Sequence, residues 1–207
     1  MMEAFDRVAH WENIYQNKAF TEVSWYQKIP QTSLDFFDEF HIPHDAKIID
    51  VGGGDSYLVD FLLQKGYQNI TVLDVSEKAM QRAKDRLKEK ASLVQWVVSD
   101  ITKFQPNELY DVWHDRAVFH FLTTDEDIES YRILTSKTIS LNGYFFLGTF
   151  SENGPLKCSG IPIRQYSIAQ MKDVFKLDFT CLKSFTQDHH TPMNTIQNFT
   201  HCCFQRK

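Results

Sequence analysis

The residues with the most chemical capacity fall in a few short stretches. Lys47 to Gly66 reads KIIDVGGGDSYLVDFLLQKG, with Gly52, Gly53 and Gly54 consecutive between a strand-like run and a helix-like run. Glycine is costly to order, so three together imply a backbone that must come close to something. Carboxylates flank the loop, Asp50 before it and Asp55 after it. Asp74 ends the next apolar run, NITVLDV, and Asp100 ends the one after, LVQWVVSD. YDVWHDRAVFHFL carries His114, Asp115 and His120. GPLKCSG presents Cys158 in a turn shaped by Gly154, Pro155 and Gly160, and QDHHTP offers Asp188, His189 and His190.

The neighbours of the glycines narrow what the loop holds. No GK[ST] follows, which excludes a P-loop. In the dinucleotide pattern G-x-G-x-x-G, Gly52 and Gly54 take the first two places and Tyr57 the third. That tyrosine, with Asp55 at the helix mouth, makes a poor seat for a pyrophosphate. Asp50 near the end of its strand suits an ammonium group. Asp74 lies 20 residues past Gly54, where an acid holds ribose hydroxyls. Asp100 falls beside the adenine position. The ligand implied has an adenosine end and a cationic amino-acid end. S-adenosylmethionine (SAM) has both, and NAD matches less well.

The elements that must position these residues alternate regularly. KIIDV, NITVLDV, LVQWVVSD, YDVWHDRAVFHFL and YFFLGTF read as strands. Between them come helical segments: residues 56–65, Glu77 to Ala91 capped by Ser76, and a helix opened by Thr124 and Asp127 that runs to LNG near Gly143. YSIAQMKDVFKL is a further helix. FTCLKSFTQ and TIQNFTHCCFQR are strands with no helix between them, so they are antiparallel neighbours joined by QDHHTP. Cys202 and Cys203 alternate on the last strand, one expected in the core and one opposite. The pattern predicts an α/β doubly wound, Rossmann-like fold: a seven-stranded, mostly parallel sheet with an antiparallel C-terminal strand and helices on both faces. One domain is expected over 1–207, with residues 1–46 a helical, aromatic lead-in or lid and 47–207 the Rossmann-like core.

In their order and spacing, DVGGGDS, VLDVS, SDI and YDVWHDR resemble the successive motifs of class I SAM-dependent methyltransferases, over roughly residues 10–150. HWENIYQNKAFTEVSWYQ with GYQNITVLDVSEKAM is also similar to the lysine methyltransferases of elongation factor 1A. Their lead-in runs W-x-x-x-[YF]…[EW]-x-W-Y, and D-[KR]-G follows their fourth strand, where this chain has Asp115, Arg116 and Ala117. The C-terminal stretches GTFSENGPLKCSG, DHHTP and TIQNFTHCCF look instead like a group of bacterial methyltransferases. The resemblance implies that Gly52, Gly53 and Gly54 lie against the methionyl part of SAM and that Asp50 and Asp55 engage its ammonium. It implies that Asp74 holds the ribose hydroxyls, with Val75, Asp100 and Ile101 around the adenine. His114 and Asp115 would stand where the methyl group meets its acceptor. Trp25 and Tyr26 would close over the SAM carboxylate or the acceptor pocket. The product would be S-adenosylhomocysteine (SAH).

Methyl transfer from a sulfonium mainly needs alignment, so few strictly catalytic groups are expected. Asp115 and His114 are the candidates, as base and orienter or as an acidic seat for an amine. The bland alternative is that Asp115 pairs with Arg116 or caps the next turn and His114 is a satisfied core histidine. Cys158, His189 and Tyr166 are candidates for the acceptor pocket. No Cys or His spacing signals a metal site. The acceptor is expected to be a small molecule or a protein side chain such as lysine. A net charge of −5 argues against nucleic acid. No apolar run reaches the roughly 20 residues that cross a bilayer. The start of the chain lacks a secretory core, and the four unpaired-looking cysteines suit the cytoplasm. An NAD(P)-dependent oxidoreductase and a non-catalytic SAM-binding protein are the competing readings.

Overall fold

The computed structural model describes residues 5–207; Met1 to Ala4, the start of the expected lead-in, lie outside the described residues. The lead-in forms α1 (Arg7–Asn17), a 3-10 turn at Phe20–Glu22 and α2 (Gln31–Glu39). Asp6 caps α1 by accepting the Ala9 N–H at 3.0 Å. Then β1 (Lys47–Val51), α3 (Leu58–Gln64), β2 (Asn69–Asp74), α4 (Glu77–Leu87), β3 (Val94–Val98), β4 (Tyr110–Arg116), α5 (Asp125–Thr138) and β5 (Ile139–Phe150) alternate. A small hairpin, β6 (Lys157–Cys158) and β7 (Ile161–Pro162), precedes α6 (Ile168–Phe175), β8 (Phe179–His190) and β9 (Ile196–Arg206).

The main sheet has seven strands in the order β3-β2-β1-β4-β5-β9-β8. β1 to β5 run parallel, and β9 lies antiparallel between β5 and β8. This is the expected doubly wound fold with its antiparallel C-terminal strand. The strand order reverses beside β1, so the carboxyl ends of β1, β2 and β4 open onto the crevice where such sheets bind ligands.

Strand alternation divides the core into two layers. Trp113, Phe145, Phe204 and Cys202 face one side with Phe119, Tyr131 and Phe175. Val112, Phe146 and Cys203 face the other with Phe36, Phe37, Leu62 and Met80. Both faces are covered, so both cysteines are buried, one in each layer, and neither is surface-facing. Each buried Phe contributes roughly 1.5–3 kcal/mol. The rings therefore fix the sheet between its helix layers far more than helix propensity does.

Three boundaries differ from the sequence reading. α4 stops at Leu87 because Lys88 takes φ +55°, and a 3-10 segment fills Lys88–Leu93. α5 ends at Thr138, and Ile139 already pairs with Tyr110 as the first residue of β5. A register shift between Tyr110 and Val112 absorbs the LNG segment as a bulge rather than a helix end. β8 continues through Asp188, His189 and His190, so the turn of that hairpin is confined to Thr191–Thr195. Among the described residues no helix is long and apolar enough to cross a membrane.

Candidate active site

The glycine loop leaves β1 with its backbone pinned against its neighbours. The Gly52 N–H donates to the Leu73 carbonyl at 2.7 Å, tying the loop to β2. Gly52 has φ +70° and Gly54 φ +41°, conformations that a side chain resists. A Cβ on Gly52 would stand 2.1 Å from Val118 Cγ2, and one on Gly54 2.8 Å from Asp74 Oδ2. At Gly53 it would meet Asp50 Oδ2 at 2.6 Å. Tyr57, in the third glycine place, lies at the N-cap of α3 with the Arg86 guanidinium 4.5 Å from its ring centre. That position serves cation–π packing of α3 on α4, not a pyrophosphate.

A cleft of about 800 Å³, its open mouth included, runs along the carboxyl ends of β1, β2, β3 and β4. That lies within the range of ligand-sized pockets. Leu73, Asp74, Val75, Ser99, Asp100 and Ile101 line one end. Asp74 is buried; its Oδ1 accepts the Ser76 N–H at 2.8 Å, and Oδ2 is turned toward Gly54. Burial, opposed by the Ser76 N–H, pushes its carboxyl up to about 7. Asp100 Oδ1 closes a turn onto Thr102, and Oδ2 lies 3.5 Å from Arg7 of α1.

Trp11, Tyr15, Trp25, Phe121, Ala117, Arg116 and Cys158 line the other end. Trp11 meets Trp25 and Phe121 edge-on, with ring centres 5.7 and 5.3 Å apart. The sequence reading missed Trp11, Tyr15, Ser99 and Arg116. The first two had a signal in the W-x-x-x-Y spacing, since i and i+4 share one helix face.

A smaller cavity of about 440 Å³ lies behind the loop and shares Trp25, Gly52 and Arg116 with the cleft. Its floor is a buried chain: Asp50 Oδ1 lies 2.7 Å from His114 Nδ1, and His114 Nε2 lies 2.8 Å from Ser33 Oγ on α2. His114 also stacks on Phe146 with ring centres 5.0 Å apart. Both its ring nitrogens are therefore committed, and it orients Asp50 rather than facing the cleft.

Asp115 points to the opposite side of β4, as strand alternation requires. It accepts from the Tyr131 hydroxyl at 2.6 Å and from the Val118 and Phe119 N–H groups at 2.9 and 3.4 Å. It is fully buried and outside the cleft, so the turn-capping alternative describes its place and the acceptor-side expectation does not. Burial raises its carboxyl to about 6 against the pull of those donors. Asp115→Ala leaves several buried donors without an acceptor, each costing about 1–3 kcal/mol. Chemical denaturation should show a loss of about 3 kcal/mol or more. An acceptor-side group would instead lower turnover at unchanged stability.

The remaining candidates divide. Asp55 turns away to Arg82, 3.4 Å from its NH1, and burial pushes it up to about 6. It ties the loop to α4 and does not line the cleft. Trp25 lines the cleft, whereas Tyr26 packs on Phe20 and Tyr57 outside it. Cys158 reaches the cleft with its thiol pushed up to about 11 by burial. His189 is held by the Ser24 carbonyl at 2.7 Å and makes no hydrogen bond with Cys158. It joins the β8–β9 hairpin to the lead-in. Tyr166 is buried in the core, its ring stacked on Phe119 at 5.1 Å. Among the described residues no cluster of three His, Cys, Asp or Glu side chains forms a metal site.

Comparison with known proteins agrees with this geometry. Residues 48–135 match the methyltransferase domain family. The eEF1A lysine and N-terminal methyltransferase of Mus musculus is 27% identical over 126 residues, which is 59% of this chain and 18% of that protein. The chain thus spans less than a fifth of that relative's length. The solved N-methyltransferase NodS of Bradyrhizobium japonicum, in complex with SAH, superposes with TM-score 0.70 at 13% identity over 97% of this chain and 99% of NodS. A protein solved for the conversion of a disulfide bond into a thioacetal group during echinomycin biosynthesis gives TM-score 0.78 at 16% identity, over 97% and 93%. Residues 48–135 therefore carry a methyltransferase domain, with the glycine loop, Asp74 and Asp100 at the ends of its strands.

Proposed function

We propose that this protein transfers a methyl group from SAM to a small-molecule acceptor in the cytoplasm, and that residues 1–207 act as one methyltransferase domain. The observation that carries this reading is the continuity of one cleft. It joins a nucleoside-sized end walled by Asp74 and Asp100 to an aromatic end closed by α1 through Trp11 and Tyr15. An aromatic-lined end suits a compact acceptor, and the four free cysteines suit a reducing compartment.

The cleft suits SAM in detail. Oδ2 of Asp74 would take the ribose hydroxyls, and Val75, Asp100 and Ile101 would border the adenine. The bare backbone of Gly52, which borders both cavities, and of Gly53 in the smaller one leaves room for the methionyl chain. Asp50, fixed by His114 and Ser33, would receive the ammonium. Bound SAM supplies a methyl group already activated on a sulfonium. Trp11, Trp25 and Phe121 keep water from the acceptor end and limit the acceptor's approach. His114 and Asp115 are both committed elsewhere, so the chain brings no free base to this end. The acceptor must arrive unprotonated or lose its proton to water.

The raised carboxyl of Asp74 gives this reading a pH signature. Protonation below about pH 7 removes the charge that accepts the ribose hydroxyls and favours the sulfonium. SAM affinity should therefore fall as pH drops from 8 to 6, up to about tenfold. Asp74→Asn should flatten the profile. Calorimetric titration across that range checks it, and a flat wild-type profile contradicts it.

The function itself is tested by incubating the protein with methyl-labelled SAM and cell extract, then separating small molecules from macromolecules. Label in the small-molecule fraction supports the proposal. Label in protein would move the acceptor to a side chain, as the mouse relative's name states for that enzyme. SAM binding without transfer to either fraction would mark a non-catalytic binder.

A further inference from the structure

Arg116 is the unexplained charge of the site. It ends β4 and lines both the cleft and the smaller cavity. Its NH1 donates to the Trp25 carbonyl at 3.2 Å, and its guanidinium lies 5.0 Å from the centre of the Phe199 ring. Among the described residues it forms no ion pair with a carboxylate.

The groups around Arg116 do not neutralise it. Asp50 gives Oδ1 to His114 and turns Oδ2 under Gly53. Cys158 stays a thiol, since burial raises it to about 11. His120, His189 and His201 stay neutral, lowered by burial and then by Arg116 itself. Burial lowers the Arg116 guanidinium too, to about 10, which leaves it charged at neutral pH. Buried charges are normally paired, because desolvation is otherwise uncompensated. Arg116 is half-buried at the cleft wall, where an anion bound in the cleft can pair with it.

We propose that the aromatic end of the cleft is an anion subsite and that the acceptor is a small aromatic carboxylate, its carboxylate paired with Arg116 and its ring between Trp11, Trp25 and Phe121. The acceptor role rests on the methyl-transfer reading; the anion subsite rests on Arg116. A guanidinium fork matches a carboxylate in two parallel hydrogen bonds. A carboxylate is also ionised at neutral pH without a base, and this end of the cleft offers none. One carboxylate oxygen would bond to the sulfonium methyl carbon as the C–S bond breaks, giving the methyl ester and neutral SAH with no proton to move, while the other oxygen keeps its contact with Arg116. An amine would meet the Arg116 cation here, and the carboxylate that acts on Arg116, Asp50, is already held by His114.

The test measures binding to the full chain, with and without saturating SAH, of three matched probes: phenylacetate, phenylacetamide and phenethylamine. The readouts are calorimetry and quenching of tryptophan fluorescence. Phenylacetate should bind at least about tenfold more tightly than the amine or the amide. Arg116→Gln should remove that preference while SAH affinity stays within about twofold. Arg116→Lys, which keeps the charge and loses the fork, should fall between and serves if the glutamine variant does not fold. Three results would overturn the proposal: no preference for the acid in the wild type, unchanged phenylacetate affinity in Arg116→Gln, or a tenfold loss of SAH affinity in that variant. The last would mean that Arg116 serves the cofactor's own carboxylate. Wild-type protein that binds phenylacetate but not SAH would keep the subsite and defeat the methyl-transfer reading.

Discussion

Asp74→Ala is expected to weaken SAM binding by about 100-fold, close to 3 kcal/mol. Hydrogen bonds to a charged group are worth about 1.5–3 kcal/mol each, and a ribose offers two hydroxyls to one carboxylate. The folded chain already holds this carboxylate in place: Ser76 fixes Oδ1, and the side chain is buried at the end of β2. Binding therefore needs little reordering there. The substitution also frees the Ser76 N–H, so melting without ligand should be measured alongside. Calorimetry with SAM and SAH reads the effect directly. An affinity within threefold of wild type would remove Asp74 from the ribose site.

Gly52→Ala should be at least as damaging, by a different route. Its φ of +70° costs a side-chain-bearing residue about 1–2 kcal/mol. The added Cβ would also lie 2.1 Å from Val118 Cγ2, far inside contact distance. Val118 belongs to the loop whose N–H groups are bound by Asp115, so it cannot retreat freely. Either the glycine loop or the loop after β4 must move, and both line the cleft. SAM binding should fall more than about 100-fold. The melting temperature should drop by about 5 °C or more. Adding Val118→Ala should restore part of the stability, since it relieves the clash and leaves the backbone strain. A Gly52→Ala protein that binds SAM like the wild type would mean that the loop does not touch the ligand.

The sheet was legible in the sequence because its signal is periodic. KIIDV, NITVLD and YDVWHDR are apolar runs punctuated by turn residues, and strand ends next to glycine or serine locate the carboxylates. Asp74 and Asp100 follow from that alone, since position at a strand end decides what they face, whereas Val75 and Ile101 come with the family resemblance. Side-chain partners are less legible. Asp115 and His114 were placed at the right end of β4, but alternation sends them to opposite faces. The groups that occupy them, Tyr131 and Ser33, lie 16 and 81 residues away. No local pattern announces contacts of that range. Arg116 was overlooked because an adjacent aspartate reads as its partner, whereas the pleat turns the two side chains apart. Helix ends failed where one residue decided them: Lys88 with its positive φ, and Ile139, recruited by Tyr110 into β5.

The most direct measurement is calorimetric titration of the full chain with SAM, SAH and NAD under the same conditions. SAM and SAH should each bind at one site per chain and compete with each other, both should be weakened by Asp74→Ala, and NAD should bind at least about 100-fold more weakly. NAD binding as tight as SAM, or SAM binding unaffected by Asp74→Ala, would contradict the assignment of the cleft to SAM.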